Sequence, residues 1–181
     1  MSTKKYVRDY IIQETYDPAK KKFRQQVSYI GKYYAFREKD ERERKKTKIF
    51  FTVLTGVSYA AYIPLFLLNT DCGKTWFTMA PLIFLVLPFL FLGMGLYRVL
   101  TATDRNTREH RDKTEDRMKT VNVIDIILTG LALIGHIVYS ALGYDKGADF
   151  WYYPLTLVIL GAAILMLTRC GRLAMDEVTE G

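Results

Sequence analysis

The stretch IFFTVLTGVSYAAYIPLFLLN, residues 49–69, decides the fold of this chain together with FTMAPLIFLVLPFLFLGMGLYRVL, residues 77–100. The first stretch contains no charged residue, and the second contains only Arg98, close to its end. Each is near the ~20 residues that a helix needs to cross a hydrocarbon core of ~30 Å. Two further stretches of this kind follow, at residues 121–142 and 152–168. The sequence therefore predicts an all-α membrane protein with four transmembrane helices.

The two pairs of apolar stretches resemble each other, which predicts two repeated hairpins. Leu54-Thr55-Gly56 corresponds to Leu128-Thr129-Gly130, and the polar turn Asp71-Cys72-Gly73 corresponds to Asp145-Lys146-Gly147. Both correspondences have the same offset of 74 positions. Leu and Ile are common enough to match by chance, but composition does not explain the two polar turns. We therefore expect an internal repeat.

The composition hides a strong segregation of apolar and charged residues. The chain has 181 residues, of which 50% are hydrophobic and 25% are charged, and its net charge is +7. The charges lie between long apolar runs, as is typical of a multi-pass membrane protein. We therefore expect the positive charge to contact membrane lipids, and the chain has no motif for binding nucleic acid.

The distribution of Lys and Arg predicts the topology. Fifteen of the 26 basic residues precede Ile49, and seven lie from Arg98 to Lys119. The two short turns contain only Lys74 and Lys146. By the positive-inside rule, both termini and the middle loop are cytoplasmic. Small size, simple topology and the lack of a glycosylation acceptor favour a bacterial inner membrane as the cell membrane concerned.

The N-terminal region is predicted to form a small cytoplasmic β-hairpin. Residues 6–16 and 23–34 are rich in aromatic and β-branched residues, and Asp17-Pro18-Ala19-Lys20 between them is a turn sequence. A lone two-stranded hairpin is marginal in water. It therefore has to dock on the middle loop, on a second copy or on a partner, and the alternative is a flexible basic tail.

The predicted organisation has six parts: residues 1–36 form the β-hairpin region, 37–48 a charged juxtamembrane helix, 49–100 the first transmembrane hairpin, 101–120 a charged cytoplasmic loop of helical character, 121–172 the second transmembrane hairpin, and 173–181 a mostly disordered tail. Basic residues at the predicted cytoplasmic surface are candidates for contact with lipid head groups. They are Lys45, Lys46, Lys48, Arg98, Arg169 and Arg172. We also expect Pro64 and Pro88 to kink their helices.

The third span contains a stripe of polar residues. At ~100° per residue, its members fall near one helix face. With two tyrosines of the first span they form a candidate transport or interhelical polar site: Asp125, Thr129, His136, Ser140, Tyr59 and Tyr62. Charged groups inside a span usually face the bundle interior or a water-filled path, which favours a proton or cation route. Alternatively, Asp125 is a helix-start carboxylate, and His136 hydrogen-bonds Tyr59 or Tyr62.

The two cysteines, Cys72 and Cys170, fall at opposite membrane faces in this topology, so they cannot form a disulfide or a zinc site within one chain. An exposed Cys72 would form an intermolecular disulfide or remain a free thiol. The chain contains no phosphate loop, nucleophile elbow, zinc-protease motif or dinucleotide fingerprint. We therefore expect no enzymatic activity and no cofactor.

Two functions fit these observations. The first is a non-enzymatic accessory, scaffold or regulatory subunit of a membrane complex, because the polar complexity lies in the cytoplasmic parts. Its partner is another membrane protein or a second copy of the chain. The alternative is an oligomeric transporter or channel for a small solute or ion, which uses the polar stripe of the third span.

Overall fold

The computed structural model describes residues 6–17, 22–68, 71–143 and 147–178. It is mostly helical, with five helices at Glu41–Leu67 (α1), Trp76–Phe84 (α2), Val86–Thr101 (α3), Arg108–Ala141 (α4) and Tyr152–Arg169 (α5). The predicted apolar stretches are confirmed as four helical segments long and apolar enough to cross a membrane, with mean hydropathies of 1.7, 2.3, 2.0 and 1.9. The second of these segments consists of α2 and α3 together.

Helix α1 combines the charged juxtamembrane residues with the first apolar stretch. It begins at Glu41, where the Asp40 side chain accepts a hydrogen bond of 2.9 Å from the Arg42 backbone N–H. Glu41 and Glu43 in the first turn add negative charge beside the positive end of the helix dipole. The predicted helix therefore runs into the apolar stretch without a break, but residues 37–40 lie outside it.

The second apolar segment is interrupted at Leu85, between α2 and α3. Pro88 has no backbone N–H, so the carbonyl of Phe84 loses its helical partner. The Leu85 N–H donates to the carbonyls of Pro81 at 3.1 Å and Leu82 at 3.2 Å, which tightens the chain at this point. Leu85 is completely buried, so the break lies inside the bundle.

Helix α4 is the central element of the bundle. It packs against α2, α3 and α5, and α1 packs against α3 and α5. The core includes large apolar side chains that are completely buried, among them Phe51, Leu65, Leu82, Leu92, Ile159 and Met166. Of the apolar window in each of the four segments, only 28%, 33%, 39% and 33% is buried within the protein, so most of the apolar surface points outward.

Four strands lie at the end of the bundle where α1 and α4 begin and α3 and α5 end, which we call the polar end. Strands Tyr10–Asp17 (β1) and Lys22–Tyr29 (β2) form an antiparallel hairpin. The predicted hairpin is thus confirmed with shorter strands, and residues 18–20 of the predicted turn at Asp17–Lys20 lie outside the described residues. Strand Tyr34–Phe36 (β3) does not extend β2 but pairs with Met175–Glu177 (β4), also antiparallel.

The prediction of a mostly disordered C-terminal tail is wrong for residues 173–178. Leu173 is completely buried, and β4 is tied to β3. The Arg37 guanidinium donates two hydrogen bonds of 3.0 Å to the carboxylate of Asp176. Acidic residues that look like a solvated tail in isolation therefore have basic partners in the N-terminal region. Residues 179–181 lie outside the described part of the chain.

The internal repeat stays a prediction. Asp145 and Lys146, two of the three positions of the second turn, lie outside the described residues. The two hairpins also differ, because the second helical segment is broken at Leu85 whereas α5 is continuous from Tyr152 to Arg169.

Candidate functional site

The polar stripe predicted for the third span lies on the inner face of α4. Asp125 and His136 are each 1% exposed, Thr129 is completely buried, and Ser140 is half-buried. Asn122, one turn before Asp125, belongs to the same face and is also completely buried. Sequence reasoning missed Asn122, although its spacing of three residues from Asp125 is the helical signal that identified the others.

The interpretation of Asp125 as a helix-start carboxylate is wrong. Helix α4 begins at Arg108, and Thr107 is its N-cap, accepting a hydrogen bond of 3.2 Å from the His110 N–H. The helix dipole acts within the first turn, which Asp125 lies far beyond. Neither carboxylate oxygen of Asp125 has a hydrogen-bond partner among the described residues. The described contacts therefore do not explain why a carboxylate is buried at this position.

His136 contacts a cysteine instead of a tyrosine of α1. Its Nδ1 lies 2.9 Å from the Sγ of Cys72, so the expected hydrogen bond to Tyr59 or Tyr62 is not formed. The imidazole ring is also enclosed by aromatic rings, with centroid distances of 4.0 Å to Tyr153 and 5.7 Å to Tyr152. His136 thus joins α4 to both the turn before α2 and the start of α5.

The prediction of an exposed Cys72 is wrong, because this residue is completely buried. Its backbone N–H donates to the Asp149 carboxylate at 3.1 Å, and its carbonyl accepts a hydrogen bond of 2.5 Å from the Thr78 hydroxyl. A thiol beside an imidazole is the arrangement of a nucleophile and its base. Cys72 is completely buried, and its contact with His136 packs the turn before α2 against α4. Cys170 is also a buried free thiol.

Separation along the chain explains why sequence reasoning missed this pair. Cys72 and His136 are 64 residues apart and lie in a turn and a helix. The one available signal was the predicted topology, which placed both residues towards the outer membrane face.

Tyr59 and Tyr62 hold α1 against the interrupted segment. Their hydroxyls donate hydrogen bonds of 2.6 Å to the carbonyls of Phe89 and Leu82, respectively, on either side of the break at Leu85. A Cβ atom at Gly93 would lie 2.8 Å from the Tyr59 hydroxyl oxygen, so the absence of a side chain there makes this contact possible. The two tyrosines are therefore engaged in helix packing and do not contact His136 in the described bonds.

The candidate lipid-contacting residues have different surroundings. The Lys48 ammonium donates to the carbonyls of Leu100 at 3.0 Å and Ala102 at 2.9 Å, and so caps the end of α3. Lys45 is in an exposed ion pair with Glu41. The side chain of Arg98 is half-buried. The remaining three line one groove of about 170 Å³ together with Thr47 and Phe50: Lys46, Arg169 and Arg172.

Three distant parts of the chain meet at the polar end. Tyr34 and Asn106 exchange two backbone hydrogen bonds of 2.8 Å, which connect β3 to the segment between α3 and α4. The Arg108 N–H donates to the Tyr29 hydroxyl at 3.0 Å, and the Tyr6 hydroxyl lies 3.2 Å from the Asp112 carboxylate. With the β3–β4 pair, these contacts form a terminal platform, defined as residues 29–37, 102–112 and 173–178.

The hairpin of β1 and β2 extends from this platform and exposes apolar side chains. Tyr10 and Tyr29 are directly opposite each other, with their ring centroids 5.1 Å apart. Two residues further along each strand, and so on the same face, Ile12 is opposite Val27. These two side chains are 64% and 62% exposed. Among the described strands, β1 and β2 pair only with each other.

These features define the protein as a helical bundle with long apolar outer surfaces, a buried polar face on α4 and a platform at one end that presents a β-hairpin. Among the described residues, no group of three or more His, Cys, Asp or Glu side chains is placed to hold a metal ion. No family model, curated protein or solved structure matches the chain.

Proposed function

We propose that this chain is a multi-pass cell-membrane protein that acts as a non-enzymatic accessory, scaffold or regulatory subunit of a membrane complex. Four apolar segments of sufficient length, with most of their apolar surface pointing outward, support the membrane location. The charge distribution supports a cytoplasmic polar end with both termini on that side. The simple topology suits a bacterial inner membrane. The repeated hairpin is part of this proposal.

The observation that carries the accessory function is the exposed pair Ile12 and Val27 on the hairpin. The aromatic pair Tyr10 and Tyr29 fixes the base of the hairpin, and Tyr29 is bonded to the start of α4. Burying the exposed parts of these two aliphatic side chains in an interface contributes at most roughly 1.5–3 kcal/mol each. A partner protein that covers this face would gain apolar contacts. If it also adds a strand to one edge of the β1–β2 hairpin, it would gain backbone hydrogen bonds as well.

Lipid contact supports the same function. Lys46, Arg169 and Arg172 line one groove at the polar end. Basic residues near anionic lipid each contribute about 1 kcal/mol. Lipid at this groove would keep the platform close to the membrane surface and hold the hairpin in a constant orientation towards its partner.

Site-specific photo-crosslinking in living cells tests the docking face. A photoreactive amino acid at position 12 or 27 should crosslink one protein of defined mass in high yield. The matched control is position 11, because Ile11 is on the opposite face of the same strand and its side chain is also exposed, at 42%. Equal yields from positions 11 and 12, or none from positions 12 and 27, would contradict the proposed docking face.

One observation favours the alternative of an oligomeric transporter or channel. Asp125 and Thr129 face the interior of the bundle with polar oxygens that have no partner among the described residues. Ion or solute flux into proteoliposomes containing the purified chain, compared with Asp125→Asn, separates the two functions. Flux that is lost in Asp125→Asn favours transport, whereas the accessory function predicts no flux in either protein.

A further inference from the structure

A groove of about 470 Å³ joins the polar end to the apolar surface of α3 and α4. Phe91, Val121 and Ile124 form its apolar part, and charged side chains line the rest, among them Asp116 and Arg117. The long apolar stretch of α4 begins at Val121, one helical turn after Arg117. In a membrane, the groove therefore lies where lipid head groups meet acyl chains.

The positive charge of Arg117 has no counter-charge in this groove. Arg117 is half-buried, and no ion pair among the described residues includes it. Its Nη1 is buried without a hydrogen-bond partner in the same part of the chain. The guanidinium lies over the Phe91 ring, 5.6 Å from the ring centroid, but an aromatic face does not neutralise a charge. A partly buried cation without a counter-charge is unfavourable, so this position favours an anion.

The other charged side chains of the groove leave one negative charge unpaired. The Asp112 carboxylate accepts hydrogen bonds of 2.8 Å and 3.0 Å from the Arg111 guanidinium, and Lys113 forms an ion pair with Glu109. Asp116 is exposed and belongs to none of the ion pairs of the described residues. The groove thus presents one unpaired carboxylate and one unpaired guanidinium on successive residues.

We infer that this groove binds phosphatidylethanolamine, a phospholipid whose head group carries a phosphate and a primary ammonium. The Arg117 guanidinium donates charge-assisted hydrogen bonds to the phosphate, and the Asp116 carboxylate accepts them from the ammonium. The acyl chains lie against Phe91 and Ile124, which are both 39% exposed. The inference rests on the proposed membrane location, but it does not require a partner protein at the hairpin.

Other common phospholipids satisfy less of the groove. Phosphatidylglycerol brings a phosphate but places an uncharged glycerol beside Asp116. Phosphatidylcholine has methyl groups in place of the ammonium N–H donors, so it cannot hydrogen-bond the carboxylate. The groove at Lys46, Arg169 and Arg172 differs in this respect, because its charged side chains are all basic and it suits an anionic lipid.

Native mass spectrometry of the full chain in detergent, titrated with each of these three lipids, tests the inference. The wild type should retain one phosphatidylethanolamine per chain and bind phosphatidylcholine about tenfold more weakly. Arg117→Gln should need about tenfold more phosphatidylethanolamine for half-saturation, the equivalent of ~1.4 kcal/mol. Asp116→Asn should bind the two lipids equally. The matched control Lys119→Gln, exposed on the same helix and outside the groove, should bind as the wild type.

Circular dichroism and gel filtration establish that each variant is folded, and Asp116→Asn, at an exposed position, serves as the test if Arg117→Gln is not. A folded wild type that binds no phosphatidylethanolamine, or binds all three lipids equally, overturns the inference. Unchanged binding in folded Arg117→Gln, or a retained preference in folded Asp116→Asn, also overturns it. Stronger binding of phosphatidylglycerol overturns it in favour of a general attraction to anionic lipid.

Carbonate extraction of native membranes reports separately on the proposed location. A chain that stays in the membrane pellet but does not bind phosphatidylethanolamine contradicts this inference alone. A chain that carbonate releases contradicts the membrane location itself.

Discussion

Gly135 lies where α4 packs closely against the backbone of α2. A Cβ atom at this position would lie 2.8 Å from the backbone carbonyl oxygen of Phe77, which cannot rotate away as a side chain can. Gly135→Ala should therefore force the two helices apart and lower the free energy of unfolding by about 1–3 kcal/mol. Gly130→Ala on the same helix is the matched control, because nothing lies within 4 Å of its Cβ position. Equal thermal stability of the two variants in detergent would refute the close helix contact.

Cys72 should be protected from thiol reagents by its burial and by His136. In intact membranes we expect slow labelling with a small maleimide and no intermolecular disulfide on a non-reducing gel. His136→Ala removes the 2.9 Å contact and opens space beside the thiol, so labelling of Cys72 should become at least about tenfold faster. Cys170→Ser in both proteins restricts the reaction to Cys72. Rapid labelling of Cys72 with His136 in place would contradict the buried pair.

The inner face of α4 could be predicted at the residue level because helical periodicity places Asp125, Thr129 and His136 on one stripe. The partner of His136 could not, since Cys72 comes from a turn whose conformation the local sequence does not determine. The same holds for Tyr59 and Tyr62. Their hydroxyls need acceptors inside the bundle. The carbonyls that accept these hydrogen bonds lie beside a helix break that depends on Pro88.

At the level of elements, the pairing of β3 and β4 should depend on pH. The Arg37 guanidinium lowers the pKa of Asp176 below its usual 3.8 by hydrogen bonding and by charge. A carboxyl group with a lowered pKa stabilises the fold above its ordinary pKa and loses this contribution as the pH falls through the lowered value. The difference in stability between the wild type and Asp176→Asn should therefore be constant near neutral pH and vanish in strong acid.

Amide hydrogen exchange at Val178 measures this effect, because its N–H donates to the Tyr33 carbonyl at 2.9 Å. Protection in the wild type should exceed that in Asp176→Asn at pH 7 and decrease with added salt, since the ion pair is exposed. If the difference in amide protection between the wild type and Asp176→Asn persists at a pH below the pKa of Asp176, the ion pair is not the cause of that difference.

The helices and the hairpin were predictable from local patterns, and the pairing between distant strands was not. Apolar runs of about 20 residues and alternating β-branched residues are local signals. Strand β4 has only three residues, and its partner β3 lies at the other end of the chain. Such a pairing depends on the bundle bringing both ends to one place, so it follows from the tertiary structure.

For the whole molecule, the fold indicates a division between a simple apolar body and a polar end built from three parts of the chain. The positive-inside pattern predicts the polar end as one surface, and the structure places residues 29–37, 102–112 and 173–178 in contact there. The contacts connect the base of the hairpin to α4 and leave Ile12 and Val27 exposed. We propose that a partner protein docks on this exposed pair.

Affinity purification from native membranes in mild detergent, followed by mass determination of the complex, shows whether a partner depends on Ile12 and Val27. The wild type and the control Ile11→Thr should each elute with one unrelated membrane protein in a fixed ratio. The double variant Ile12→Thr, Val27→Thr keeps β-branched residues in the strands and should elute without it, at the mass of the chain alone. An unchanged complex in the folded double variant, or a wild type that elutes only as a homo-oligomer, would contradict the accessory function.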